Sequence, residues 1–222
     1  NLQKKFLKKY FRIISPALPG FGESYKEKSL SSINSMAKLI LRCLDKKKIN
    51  NFNLVGHSMG GMIAQEIIKI SKNRVNKVIL YSTGPIGQIP GRFESLDSSI
   101  SRLKREGIKK SMKRIPQKWF VNGNKAKYYY LCKRAVTHTS KKTAINALIA
   151  MKKWNGLKYL KKINKKTLII WGDKDLSYNF EQINKLKKNI LNSELKIFKY
   201  CGHNVHLEKP IKFNLLLKKY FT

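Results

Sequence analysis

The residues best suited to covalent chemistry surround Ser58, in the segment Gly56-His57-Ser58-Met59-Gly60. This segment follows an apolar run and precedes an amphipathic helical pattern, so it is expected to form a strand-to-helix turn. Glycine on both flanks fits such a turn, because side chains there would collide. We therefore predict that the turn presents the Ser58 hydroxyl and that the Met59 amide, at a helix N-terminus, faces developing negative charge.

A serine hydroxyl is a weak nucleophile at neutral pH, and it needs a base and a carboxylate that orients the base. Candidates for both follow later strand patterns. Asp173 and Asp175 come after the run that ends at Trp171, and His203 follows an alternating run. Because the carboxyl ends of parallel strands share one edge of a sheet, these side chains are expected to converge with Ser58. The order serine, aspartate, histidine is typical of one type of hydrolytic triad.

Two further histidines lie near these candidates. His57 lies inside the turn and is predicted to pack or hydrogen-bond beside it. His206 is the alternative base, but its displacement from the end of the strand pattern favours a role in supporting the loop. The alternative for Ser58 itself is a serine in an ordinary glycine-rich turn.

Short β-type runs alternate with helical patterns, which predicts an α/β fold with a mostly parallel sheet flanked by helices. The strand patterns lie at residues 10–14, 52–55, 78–81, 167–171 and 195–200. Helical patterns cover residues 33–44, 59–70 and 213–220. We predict one domain with a core at 1–85 and 163–222. The helical, aromatic-rich residues 86–162 are expected to form a lid inserted over the sheet's carboxyl edge.

Charge and composition narrow the class of protein. The chain has 48 Lys and Arg against 12 Asp and Glu, a net charge of +36. Most of the basic residues are lysines spread along the chain, which indicates a solvated surface rather than a specific nucleic-acid site. No apolar run is long enough for a membrane span, and no signal-peptide pattern is present. Cys43, Cys132 and Cys201 lack metal-ligand or redox spacing, so reduced thiols and a cytoplasmic location are expected.

Four segments resemble the signature blocks of the α/β-hydrolase superfamily. They are residues 19–24, 55–61, 168–175 and 202–210. The resemblance implies that Ser58 is the nucleophile, His203 the base and the Met59 amide one half of the oxyanion hole. It also implies that Asp175, rather than Asp173, is the acid of the triad.

A fifth segment, residues 114–120, is similar to the lid of 3-oxoadipate enol-lactonases, within the small-ester hydrolase branch. We predict that Phe21, Trp119, Phe120 and Trp154 contact the substrate. The alternative for the lid aromatics Trp119, Phe120 and Trp154 is simple packing. The expected reaction is hydrolysis of a small-molecule carboxylic ester or lactone through an acyl-enzyme, with no metal or organic cofactor.

Alternatives remain on the same triad. One is the esterase that demethylates pimeloyl-acyl-carrier protein, whose acidic partner would suit the basic surface. Others are an acyltransferase and a C–C bond hydrolase. An alternative of another class is a non-catalytic basic binding protein that retained the fold.

The sequence departs from the family before Pro19. Ala17-Leu18 stands where the family usually carries aspartate. The family also has three strands upstream of this point, and the third precedes a His-Gly loop that supplies the second oxyanion donor. Nine residues precede Tyr10, too few for those strands. We therefore expect the sequence to be N-terminally incomplete.

Overall fold

Parallel strands form the centre of the fold in this computed structural model, which describes residues 2–136 and 139–222. The strands are β1 (Phe52–His57), β2 (Val75–Tyr81), β3 (Lys166–Gly172) and β4 (Ser193–Phe198). They pair in that order, and every pair is parallel. The predicted parallel sheet is confirmed, and its carboxyl ends lie along one edge.

The predicted strand at residues 10–14 is wrong, because this segment is irregular and follows helix α1 (Leu2–Leu7). Within the described ranges β1 pairs with β2 alone, and Val55 on β1 is 48% exposed. A strand needs a partner for its backbone N–H and C=O groups. The apolar side chains of residues 10–14 pack instead on the C-terminal helix, where the ring centroids of Phe11 and Phe221 lie 6.2 Å apart.

Helices cover both faces of the sheet, as predicted. They are α2 (Ile33–Lys46), α3 (Met59–Ser71), α7 (Phe180–Asn189), α8 (Val205–Glu208) and α9 (Pro210–Phe221). Successive strand residues point to opposite faces, so Leu80 packs with α2, α3 and α7, whereas Ile79 packs with α1 and α9. Burial on both faces explains why the central strands β2 and β3 are continuously apolar in residues 78–81 and 168–171, whereas the outer strand β4 alternates.

Between β2 and β3 the chain forms α4 (Leu96–Arg114), α5 (Tyr129–Val136) and α6 (Lys141–Lys153), with short 3-10 turns. Gly107 interrupts α4 with a φ of 76°. Glu94, just before α4, pairs with Arg102 at 2.7 Å and Arg114 at 3.3 Å, which holds the two ends of α4 together. None of the helices in the described ranges has the length and apolar character that crossing a bilayer requires.

Candidate active site

Ser58 occupies the turn between β1 and α3 in a strained backbone conformation, with φ 53° and ψ −119°. A residue other than glycine with positive φ carries a cost of roughly 1–3 kcal/mol, so its surroundings must hold it in place. Here the Ser58 N–H donates to the carbonyl of Tyr81 at 3.0 Å. Its own carbonyl accepts from the Thr83 hydroxyl at 2.7 Å and from the Gly61 N–H at 2.9 Å. Both backbone groups of Ser58 are therefore fixed to neighbouring segments.

The glycines around Ser58 differ in how much space they have. A Cβ atom on Gly56 would lie 2.4 Å from the carbonyl oxygen of Gly60, and one on Gly61 would lie 2.4 Å from the Thr83 side chain. A Cβ atom on Gly60 would meet nothing within 4 Å. The prediction that crowding requires glycine at both Gly56 and Gly60 is confirmed for Gly56 and wrong for Gly60. The second crowded position is Gly61.

Asp175 and His203 meet at the carboxyl edge of the sheet. The Nδ1 atom of His203 lies 2.9 Å from Oδ2 of Asp175, and the two side chains are 4% and 0% exposed. The other oxygen, Oδ1, accepts from the backbone N–H groups of Ser177 at 2.7 Å and Tyr178 at 3.2 Å. Because Nδ1 donates to the carboxylate, the neutral imidazole has an unprotonated Nε2, the atom that can accept a proton.

Asp173, the other aspartate of the same turn, has a different partner. Its Oδ1 atom accepts from the backbone N–H of Cys201 at 3.3 Å. The structure therefore pairs His203 with Asp175 and uses Asp173 to fix the backbone before the histidine.

A layer of polar aromatic side chains supports the backbone of His203. The hydroxyl of Tyr81 donates to the His203 carbonyl at 2.9 Å, and Nε2 of His57 lies 3.1 Å from the same oxygen. A carbonyl can only accept, so Nε2 of His57 carries a proton. Nδ1 of His206 lies 3.0 Å from the Tyr81 hydroxyl. His206 thus contacts the residue that holds the loop.

Burial keeps both supporting histidines neutral. Burial, followed by the nearby His203 and His206, holds the pKa of His57 well below its ordinary value. Burial and then His203 lower the pKa of His206 to about 3. At neutral pH these two side chains act as uncharged hydrogen-bonding groups, which fits the supporting roles expected for them.

Tyr178 also lies in the site, although the sequence reasoning did not select it. Its ring lies almost parallel to the His203 imidazole, with centroids 5.8 Å apart and planes 13° apart. Its hydroxyl is buried beside the Ser58 and Thr83 side chains and makes no hydrogen bond of regular geometry. Burial raises the pKa of this hydroxyl well above its usual value, so it stays protonated. The signal in the sequence was its place three residues after Asp175, at the same strand end.

Two of the aromatic residues predicted to contact the substrate lie where the helical segment, residues 86–162 between β2 and β3, meets the sheet. The ring centroid of Trp119 is 6.1 Å from that of His203. Phe120 is 5% exposed and packs edge-on against Tyr129, in a cluster that includes Leu207. Trp119 is therefore beside the paired histidine, whereas Phe120 joins the helical segment to α8.

The other two predicted aromatics have different surroundings. The indole N–H of Trp154 donates to Glu66 at 3.2 Å, and its ring packs in the core between the sheet and helices α2, α3 and α7. Phe21 is half-buried and forms a β-bridge with Thr139. The described contacts of both residues are with the protein framework.

Comparison with known proteins identifies the fold family of the chain. Residues 1–210 match the family described as alpha/beta hydrolase fold. The 2-hydroxy-6-oxononadienedioate/2-hydroxy-6-oxononatrienedioate hydrolase 1 of Pseudomonas putida is 26% identical over 96% of this chain and 78% of its own length. The AB hydrolase superfamily protein YisY of Bacillus subtilis is 27% identical, over 96% of this chain and 82% of its own.

Solved structures show the same likeness. An esterase (EaEST) from Exiguobacterium antarcticum superposes with a TM-score of 0.88 and 26% identity, covering 99% of this chain and 85% of its own. The enol-lactonase from Burkholderia xenovorans LB400 superposes with a TM-score of 0.89 over 99% of this chain and 84% of its own. At 21% identity, this second likeness concerns the fold alone. With the family match covering nearly the whole chain, the protein is a hydrolase and belongs to the α/β-hydrolase fold family.

Proposed function

We propose that the chain hydrolyses a carboxylic ester or lactone through an acyl-enzyme formed on Ser58. The observation that carries this proposal is the buried 2.9 Å contact between His203 and Asp175, next to a strained serine turn. The three side chains follow β1, β3 and β4, whose ends share one edge of the sheet. Tyr178 contacts both Asp175, through its backbone N–H at 3.2 Å, and His203, whose ring centroid lies 5.8 Å from its own. The Ser58 backbone is held at the same edge, because its N–H donates to the carbonyl of Tyr81, whose hydroxyl donates to the carbonyl of His203.

In the proposed reaction, Nε2 of His203 takes the Ser58 proton as the serine oxygen attacks the substrate carbonyl carbon. Asp175 keeps the imidazole in the required tautomer and stabilises the imidazolium that forms. The N–H of Met59, at the start of α3, donates to the oxyanion. His203 then protonates the departing alcohol oxygen. Water attacks the acyl-enzyme with His203 again as the base, the bond between Ser58 and the acyl group breaks, and His203 returns the proton to Ser58 as the acid leaves.

We also propose that residues 86–162 act as a lid over this site. Three described contacts support the proposal. The carbonyl of Trp119 accepts from the Asn204 N–H at 3.1 Å, the Val121 N–H donates to Glu208 at 2.8 Å, and Phe120 packs with Leu207. A cover at this place would exclude bulk water from the reacting groups.

Replacement of Ser58 tests the proposed chemistry directly. In Ser58→Ala, turnover of p-nitrophenyl acetate should fall by on the order of 10⁴-fold or more, because the nucleophile is lost. A fluorophosphonate should label the unchanged protein and not the variant. Ser31→Ala, at an exposed serine in the loop before α2, is the matched control and should behave like the unchanged protein.

Undiminished turnover in Ser58→Ala would remove Ser58 from the mechanism. A protein that neither turns over esters nor reacts with the fluorophosphonate would instead be the non-catalytic alternative.

C–C bond hydrolysis and acyl transfer on the same side chains are the second candidates. The name of the Pseudomonas putida relative, a hydrolase of 2-hydroxy-6-oxo dienedioates, favours testing the first. Chromatography of the products from such a dienedioate and from an ester, each with and without an added alcohol, separates the three reactions. Ester cleavage to the free acid in the presence of alcohol supports the favoured proposal.

An acidic acyl-carrier protein is the proposed macromolecular partner, and the net charge of +36 supports it. Attraction between the two proteins would weaken as salt screens it. The KM for a pimeloyl-acyl-carrier-protein methyl ester should therefore rise steeply with sodium chloride. The KM for p-nitrophenyl acetate, which carries no charge, should stay nearly constant. Equal salt dependence for both substrates would argue against this partner.

A further inference from the structure

A cleft separate from the proposed catalytic residues lies where the helical segment begins. Its volume is about 260 Å³, roughly the space that nine water molecules occupy in the liquid. Ser58, Asp175 and His203 are not among the residues that line it. The lining combines charged, amide and apolar side chains, which include Gln88, Ile89, Arg92, Leu96, Asp97 and Lys152.

The guanidinium group of Arg92 is held in this lining with one of its edges unused. Its Nη1 atom donates to the carbonyl of Glu94 and to the Ser99 hydroxyl, the latter at 3.2 Å. Its central carbon lies 4.4 Å from the ring centroid of Phe93, so one face is covered. Within the described ranges Nε and Nη2 make no hydrogen bond. These two nitrogens form the edge of a guanidinium that can hold a carboxylate through two parallel hydrogen bonds.

The positive charge of Arg92 also lacks an ion-pair partner in the part of the chain that the structure describes. The nearby carboxylate of Glu94 pairs with two other arginines, and that of Asp97 pairs with Lys152 at 2.6 Å. Burial is the largest influence on Arg92 and lowers the pKa of its guanidinium below the ordinary value. A cation that is partly withdrawn from water without a carboxylate partner destabilises the fold, and a bound anion would offset that cost.

The remaining lining defines the size and charge of a matching anion. Two cations, Arg92 and Lys152, stand against one carboxylate, Asp97, which leaves one uncompensated positive charge. Ile89 and Leu96 supply apolar wall, and both are already mostly shielded from water. A ligand with one negative charge and a compact apolar body would match both features.

From this lining we propose that the cleft binds a small monocarboxylate, held by two hydrogen bonds from Nε and Nη2 of Arg92. The apolar body of the ligand lies against Ile89 and Leu96. Binding here requires no turnover by Ser58, so the proposal is independent of the function proposed above. The cleft is nevertheless joined to the acid turn, because the Phe93 N–H donates to the carbonyl of Leu176 at 3.0 Å.

Titration calorimetry with benzoate tests the site in about 150 mM sodium chloride, which screens the general attraction of a +36 surface for anions. Benzoate should bind saturably, with a Kd of about 1 mM. Benzamide keeps the ring and lacks the charge, so it should bind at least about tenfold more weakly.

Variants assign the binding to the cleft. Arg92→Gln removes the fork and the charge and should weaken benzoate binding at least about tenfold. Arg105→Gln, at an exposed arginine that pairs with Glu106, is the matched control and should leave the affinity unchanged. Lys152→Met leaves the Asp97 carboxylate without its cation, and repulsion from it should weaken binding about threefold or more.

Two results with the unchanged protein would overturn the proposal without any variant. They are the absence of saturable benzoate binding and equal affinity for benzamide and benzoate. Unchanged affinity in a folded Arg92→Gln would also overturn it, because the carboxylate would then bind elsewhere. Should Arg92→Gln fail to fold, Lys152→Met, at a partly exposed side chain, decides the matter, since weaker binding there supports the cleft and undiminished binding excludes it.

Discussion

A Cβ atom on Gly56 would lie 2.4 Å from the carbonyl oxygen of Gly60, across the turn that carries Ser58. The clash is with backbone, which has no side-chain rotamer to relieve it. The same turn already holds Ser58 at a φ of 53°, so it has little freedom to widen. The close approach of these two glycines is therefore a requirement on Gly56, while Gly60 itself faces open space.

Gly56→Ala should lower the free energy of unfolding by about 2 kcal/mol or more, because the backbone must shift to admit the methyl group. Gly60→Ala is the matched control, and it should be neutral or stabilising by up to about 1 kcal/mol, since it lies in the first turn of α3. Urea denaturation of both variants measures the difference. Equal losses in the two would show that the turn is not limited by the Gly56 contact.

Asp175→Asn should reduce kcat for ester hydrolysis by about 10⁴-fold with little change in fold, because an amide no longer fixes the tautomer of His203. Asp173→Asn is its control. The Asp173 side chain accepts from the Cys201 N–H, and the amide oxygen of an asparagine at this position can still accept from it. Steady-state kinetics on p-nitrophenyl acetate checks both variants. A larger loss in Asp173→Asn than in Asp175→Asn would reverse the assignment of the acid.

Much of this site followed from the sequence, because its residues come directly after strand patterns and strand ends converge in a parallel sheet. Local pattern could not choose between Asp173 and Asp175, since both follow β3. The strand expected at residues 10–14 failed because strand pairing depends on a neighbour elsewhere in the chain. Tyr178 was missed since its position matters through ring packing against His203, which no local periodicity records.

The stability of the protein should fall as the pH drops below 6.5, with His206 contributing. Its pKa is about 3 when folded and about 6.5 when unfolded, so above pH 6.5 the imidazole is neutral in both states. Between pH 6.5 and 3 the unfolded chain binds a proton that the folded chain does not. This costs up to about 1.4 kcal/mol of stability per pH unit.

His206→Asn removes the titrating group and keeps a side-chain N–H that can reach the Tyr81 hydroxyl. Urea denaturation at pH 7 and pH 5 should show a smaller pH-dependent loss in this variant than in the unchanged protein. His57, whose pKa is also lowered, remains and supplies a residual dependence of the same sign. An identical loss in the two proteins would mean that His206 is not protonated on unfolding in this range.

Glu208 joins the loop of His203 to the helical segment, because one oxygen accepts from the Gly202 N–H at 2.6 Å and the other from the Val121 N–H at 2.8 Å. Glu208→Ala leaves both donors without this partner, which should destabilise the protein by roughly 2–3 kcal/mol. It should also lower kcat, since Gly202 directly precedes His203. The control is Glu181→Ala, at an exposed carboxylate that pairs with Lys185 and should change stability by less than about 1 kcal/mol.

Glu208→Gln separates the two contacts, because its amide keeps one accepting oxygen and presents an N–H to the other donor. Its stability should lie between that of the unchanged protein and that of Glu208→Ala. Limited proteolysis locates the effect: if Glu208 holds the helical segment in place, cleavage within residues 86–162 should accelerate in Glu208→Ala while the sheet core stays resistant. Uniform cleavage along the chain would instead mean that the carboxylate stabilises the fold as a whole, and the proposed lid would then be anchored mainly by Trp119 and Phe120.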